Sequence, residues 1–217
     1  KSTKNLDMSM GLSQISAQDA VNNLSEINLK LILKILGEEK EASRIAKNII
    51  KFRSEKKITK VNELVEIIKK SKKKNYASKI NPCTKTFQAL RIFVNKEITE
   101  LINGVINATK ILKPGGKILV ISFHSIEDKV VKYLFSNFST NKSKPSRYFP
   151  DIEQDNIALF EEYKNKIIKP TQKEIDQNYP SRSAKLRYAI RSKNEFKYPV
   201  KLLDKFKKYL DLEGIDV

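Results

Sequence analysis

The residues best suited to chemistry gather in one run, Ile121-Ser122-Phe123-His124-Ser125-Ile126-Glu127-Asp128. It holds the chain's only histidine with two hydroxyls and two carboxylates. The run is expected at the C-terminal end of a strand, the rim where open α/β sheets bind ligands, and a histidine there can take a direct chemical role. Ser122, His124 and Ser125 are therefore the candidates for a direct chemical role. A structural alternative stands beside this one: Ser125 and Asp128 have the spacing of a helix capping box. That alternative accounts for those two residues but not for His124. A Ser-His-Asp hydrolase is not expected. Nucleophile and base must converge, and neighbours on a strand-to-helix turn mostly diverge. There is also no Gly-x-Ser-x-Gly elbow. One histidine and one cysteine, Cys83, fall short of a metal-ligand set, so no metal is expected.

Two further groups are polar and basic. Thr84-Lys85-Thr86-Phe87-Gln88-Ala89-Leu90-Arg91 through Asn95 interleaves hydrogen-bonding side chains with core residues at a helix start. Lys85 and Arg91 suit phosphates there, and Gln88 suits a base edge. An ordinary amphipathic helix fits equally well. Pro180-Ser181-Arg182-Ser183-Ala184-Lys185-Leu186-Arg187 leads cations and hydroxyls into a strand. Arg182 and Lys185 suit RNA backbone contacts, and Tyr179 suits stacking on a base. The competing reading is a basic edge that discourages aggregation.

The elements that must position these residues follow from periodicity. Ser16 to Asp19 reads as a capping box for a short helix. Ser25 caps a second helix with Ile27, Leu31, Ile32, Ile35 and Leu36 inward, stopped at Gly37. A third spans 38–54 on Ala42, Ile45, Ala46, Ile49 and Ile50. A fourth starts near Thr59, with Val61, Leu64, Val65 and Ile68 inward, and ends in the basic run Lys69–Lys74. Residues 12–80 thus form a helical module of about 70 residues, near the lower limit for independent folding. One long helix is expected over 86–112, stopped by Pro114-Gly115-Gly116. Lys117–Phe123 then reads as a strand buried on both faces of a parallel sheet. A helix over 125–138, a loop over 139–156, a short strand at 166–169 and a helix capped by Thr171 follow. Residues 184–191 read as a strand, its apolar face Leu186, Tyr188 and Ile190, its polar face Lys185, Arg187 and Arg191. The segment 195–212 is expected to pack as a helix on the body rather than lie on a membrane.

Composition bounds the partner. Of 217 residues, 43 are Lys or Arg and 25 Asp or Glu, a net charge of +18. That favours a polyanion, nucleic acid first. The apolar share of 40% supports a core, and no run approaches the ~20 apolar residues of a membrane span. A single cysteine excludes an internal disulfide and fits a cytoplasmic setting. No signal peptide is expected; the chain opens at Lys1, so part of the protein is expected to precede it.

Four strings in order resemble one family. They are LDMSMG with ISAQDAVNNLSEINLKLILKILGEEKEASRIAKNII, then KTFQALRIFVNKEI, ISFHSIEDKVVKYLF and KPTQKEIDQNYPSRSAKLRYAIR. Together they resemble the bacterial 16S rRNA (cytosine-N4)-methyltransferases of the MraW type, colinearly from about residue 5 to 192. The resemblance implies an α/β fold: the C-terminal part of a class I S-adenosylmethionine-dependent methyltransferase sheet with an inserted all-helical domain. It implies residues 1–11 as the end of the N-terminal methyltransferase half and 12–82 as the inserted helical domain. Residues 83–192 would be the C-terminal half, and 193–217 a basic tail. It implies S-adenosylmethionine as cofactor and 16S rRNA on the small ribosomal subunit as partner, with no membrane. The family's cofactor loop and its acidic ribose partner lie in an N-terminal segment that this sequence does not contain. LDMSMG also replaces the family's more usual LDMRMD. Two other readings share the charge. One is a non-catalytic rRNA-binding protein derived from that family; the other is a DNA-binding regulator using 12–80 as a helix-turn-helix.

Overall fold

The computed structural model describes residues 4–11, 13–72, 81–139 and 158–217. The chain divides into two compact units, one of residues 1–99 with 207–217, the other of 100–206.

The first unit is helical. It contains α1 (Ala17–Asn23), α2 (Glu26–Ile35), α3 (Ala42–Glu55), α4 (Val61–Ser71), α5 (Thr84–Asn95) and the first turn of α6 (Glu97–Ile111). Ser16 caps α1 in a full capping box with Asp19, and Ser25 caps α2 through the Asn28 amide, both as the sequence predicts. The apolar face of α2 is only partly the expected one, Ile32 and the following Leu36 being buried as expected. Leu29, Ile32 and Leu33 are buried, while Ile27 and Leu31 are exposed. A ten-residue helix with apolar residues around most of its circumference leaves its neighbours to choose the inward face, and α3 and α5 choose it here. Gly37 follows at a close approach. A Cβ there would lie 2.6 Å from the Lys85 carbonyl oxygen and 2.9 Å from the Ala89 Cβ. α3 buries Ala42, Ile45, Ala46 and Ile49 as expected, and α4 buries Leu64, Ile67 and Ile68.

The long helix predicted over 86–112 is broken. Lys96 is left-handed at φ 50° and ends α5, and α6 begins at the next residue. Asn95 explains the break. Its side-chain oxygen accepts from the Met10 amide at 2.7 Å, and its nitrogen donates to the Met8 and Arg91 carbonyls, each at 2.9 Å. A side chain so committed competes with helix continuation. The apolar stripe crosses the break because it repeats at threes and fours on both sides.

A new helix start needs acceptors for its first amides. They come from α10 (Lys207–Glu213), which packs on α2 and α5. The buried Glu213 carboxylate accepts from the Ile98 amide at 3.0 Å, the Thr99 amide at 2.8 Å and the Thr99 hydroxyl at 2.6 Å. The end of the basic tail therefore packs on the body, as expected.

The second unit holds the rest of α6, β1 (Lys117–Ser122), α7 (Ser125–Asn137), α8 (Gln172–Gln177), a 3₁₀ turn (Tyr179–Ser183), β2 (Lys185–Ile190) and α9 (Val200–Leu203). β1 and β2 pair antiparallel, from Lys117 opposite Ile190 to Ser122 opposite Lys185. The expected parallel strand buried on both faces is therefore corrected. β1 alternates, with Leu119 and Ile121 each 59% exposed. β2 also reverses its predicted faces. Arg187 is 2% exposed and Ala189 is buried, whereas Tyr188 is exposed. The cause lies on the inner side, where α7 packs on β2 and carries an acid to receive Arg187. Behind α7, Phe135 packs edge-on against Phe160 and Tyr163, and Phe138 against Phe160. Arg191 is buried too, donating to the carbonyls of Thr109, Leu159, Ser192 and Asn194. The predicted strand at 166–169 is a single bridge, Ile168 to Leu186. The loop expected over 139–156 lies, apart from Ser139, outside the described residues.

Candidate functional site at the end of the first strand

β1 ends at Ser122 and hands the chain to α7 through Phe123 and His124. The helix start is built differently from the predicted Ser125–Asp128 box. The cap is His124. Its Nδ1 accepts from the Glu127 amide at 3.3 Å, and the Glu127 carboxylate reaches back to the amides of Phe123 at 2.7 Å and His124 at 3.2 Å. Accepting at Nδ1 requires the neutral ring to carry its proton on Nε2. That atom lies 3.4 Å from Glu127 Oε1. The histidine thus takes the place usually filled by Ser, Thr, Asp or Asn.

Capping preferences make this testable. His124→Ala is expected to cost about 0.5–2 kcal/mol in urea unfolding, and His124→Asn much less, because asparagine can accept the same amide. Equal losses for the two variants would mean that the cap contributes nothing.

The other two chemical candidates diverge. Ser122 is buried, and its hydroxyl is 3.4 Å from the Lys185 carbonyl oxygen, so it faces the sheet interior. Ser125 is exposed as the first residue of α7.

One turn into α7 sits a group that the sequence read only as a capping-box partner of Ser125. Asp128, 9% exposed, accepts from Arg187 Nε at 2.7 Å and Lys185 Nζ at 3.0 Å. Arg187 Nη1 continues to the Tyr163 hydroxyl and Asn165 Oδ1, both at 2.8 Å. Burial pushes the Asp128 carboxyl up, but hydrogen bonds and charge from Arg187 and Lys185 outweigh it, and the net position is below the ordinary range. Burial likewise raises the Tyr163 phenol. A strand spacing of two put Lys185 and Arg187 on one face, and that was the available signal. What it lacked was the acid, about 60 residues away in the chain, on another element.

The RNA candidates are placed as follows. Lys85, Gln88 and Arg91 lie on α5 in the first unit. Lys85 Nζ donates to the Glu38 carbonyl at 3.0 Å, Gln88 is half-buried, and Arg91 pairs through two nitrogens with Glu97 at 2.7 and 3.0 Å. Lys185 is paired with Asp128. Arg182 is exposed, with its guanidinium 4.3 Å above the Tyr179 ring. No described helix is long and apolar enough to cross a membrane.

A mixed α/β unit with a strand running into a capped helix, joined in sequence to a helical module, is consistent with an α/β methyltransferase. Residues 1–192 match the MraW methylase family. The chain belongs to that family. It is 41% identical over 210 residues to the "Ribosomal RNA small subunit methyltransferase H" of Bartonella quintana, covering 96% of this chain and 62% of that protein. The protein of the same name from Caulobacter sp. K31 is 38% identical over 187 residues, 86% of this chain and 58% of the relative. That of Agrobacterium fabrum is 41% identical over 187 residues, 86% and 54% respectively. The chain thus spans between 54% and 62% of the length of these relatives.

Proposed function

We propose that this chain serves methyl transfer to the exocyclic N4 amine of a cytidine in 16S rRNA, with S-adenosylmethionine as donor. The observation that carries the reading is the family match over residues 1–192, together with relatives named for small-subunit rRNA methylation. The net charge of +18 suits that polyanion.

The described residues do not fit the cofactor. Such a group needs a strand that runs through a glycine loop into a helix, and none of the described glycines lies in that setting. Gly115, at φ 79°, and Gly116 precede β1, and their backbone bonds to Arg191 extend the sheet. The residues of this chain are therefore assigned to the RNA. A cytidine must leave its stack to be methylated. The rim from Ser122 to Ser125 forms one wall of its pocket through the exposed Phe123 and Ser125, with Ser122 turned inward and His124 holding the α7 start in place. In the second unit Arg182 and Lys185 hold the strand around it; in the first unit Lys85, Gln88 and Arg91 offer RNA contacts of their own.

The test is incubation of these 217 residues, joined to the preceding segment of the Bartonella quintana relative, with unmethylated small subunits and labelled S-adenosylmethionine, followed by nucleoside analysis. N4-methylcytidine in the digest is the expected product. The misfit between the glycines and the cofactor favours one second reading, a non-catalytic rRNA-binding protein. Subunit binding with no methylated nucleoside would establish that reading instead.

A further inference from the structure

Tyr179 opens the 3₁₀ turn Tyr179–Ser183, and Arg182 lies in the same turn three residues on. Side chains at that spacing eclipse in a 3₁₀ helix, which explains their stacking. The guanidinium is held over the ring by its Nη1, which donates to the Tyr179 carbonyl at 3.3 Å. Ser181 between them turns inward and is buried. Tyr179 remains 66% exposed with one face under the guanidinium, so its other face is available. Arg182 has no carboxylate partner among the described residues, unlike Lys185 and Arg91. Burial, core packing and ion pairing therefore leave this aromatic–cation pair unexplained.

Several cations lie around it. Two residues beyond the turn β2 begins, where Lys185 lies opposite Ser122 at the end of β1. Beside β2, the bridge at Ile168 places the exposed Lys166 and Lys169 in a strand-like segment. α8, carrying the exposed Lys173 together with the exposed Glu174 and Asp176, packs against the turn.

We propose that Tyr179 and Arg182 form a stacking platform for one unpaired nucleobase of single-stranded RNA, next to the end of β1. The proposal rests on the RNA reading above and deepens it. A polyanion alone needs only the cations. An exposed ring backed by a guanidinium adds a flat, polarised surface that suits a base whose own faces are uncovered. Duplex RNA buries those faces in its stack, so it does not engage the ring.

The chain contains no tryptophan. Tyr179→Trp therefore installs a single fluorescent reporter at the platform. A fluorescein-labelled single-stranded RNA decamer is titrated and followed by anisotropy, and tryptophan emission is read in parallel with the unlabelled strand. Binding with quenching is expected, and a strand of abasic sugars should bind without comparable quenching. Tyr179→Ala should weaken the decamer by roughly 5- to 150-fold, the range of one base–aromatic stack. Tyr179→Phe should bind like the parent, and duplex affinity should hardly change. Decamer binding without quenching, or equal quenching by the abasic strand, overturns the platform and leaves the RNA reading standing. No anisotropy change with any RNA overturns both.

Discussion

Asp128→Ala is expected to lower stability by about 3–5 kcal/mol, the usual cost of removing one partner from a buried ion pair. The loss comes mainly from what remains. Arg187 stays buried with its charge, keeping only the Tyr163 hydroxyl and Asn165 as neutral partners. Lys185, partly exposed, can turn to water. Asp128→Ala combined with Arg187→Met should recover much of the loss, since an apolar replacement of a buried pair is often neutral. Urea unfolding followed by circular dichroism measures both. If Asp128→Ala cost under about 1 kcal/mol, Arg187 would have to be hydrated, and the buried network as described would be wrong. The pH dependence has a definite sign. The folded pKa of Asp128 is depressed, so its contribution is present above the unfolded value near 4 and is lost as pH falls through the folded value. Asp128→Asn should flatten the acid limb.

Deleting residues 207–217 is expected to cost on the order of 3 kcal/mol or more in the first unit. Leu212 loses its burial, worth about 1.5–3 kcal/mol. The Ile98 and Thr99 amides lose the Glu213 carboxylate, at about 1–3 kcal/mol for groups left without a partner. Glu213→Ala isolates the second part. Hydrogen exchange at the start of α6 is the specific readout, because fraying should concentrate there. A tail deletion that leaves those amides protected would show that the cap is dispensable. The pH sign is opposite to that of Asp128. Burial is the largest influence on Glu213 and raises its carboxyl, despite the opposing hydrogen bonds from Thr99 and Ile98. A raised folded pKa gives stability that is present below the unfolded value and lost as pH rises through the folded one. Glu213→Gln keeps one accepting oxygen and should reduce the decline above about pH 4.5.

Local signals were readable where their cause is local. Ser16 with Asp19, Ser25 and Thr171 all cap helices as predicted, because a cap involves only residues within one turn. The α3 face and the β1 position followed from periodicity. The same rule failed at 124–128 by one residue. Ser125 is a commoner cap than histidine, and only the backbone at His124, extended at φ −135°, selects the actual one. The long helix failed at Asn95, whose partners Met8 and Met10 lie more than 80 residues earlier.

The candidate site was legible in position and illegible in wiring. The run at 121–128 does join a strand to a helix. Its roles changed because Ser122 points inward, His124 is a cap, and Asp128 holds Arg187 and Lys185. A charged residue alternating with apolar ones reads as solvent-facing, since burying it alone is costly. Arg187 and Arg191 are buried because distant groups meet them, an acid for one and four carbonyl oxygens for the other.

The sequence by itself determined the family, the helices α1 to α4, most of the caps and the strand that carries the candidate site. Each is written in contiguous residues or short spacings. Only the tertiary structure decided which hydroxyl faces inward, which arginines are buried and where α5 ends. It also decided that residue 213 caps a helix at residue 97. Those outcomes depend on partners distant in the chain, and a charge or an amide leaves water only where such a partner is waiting.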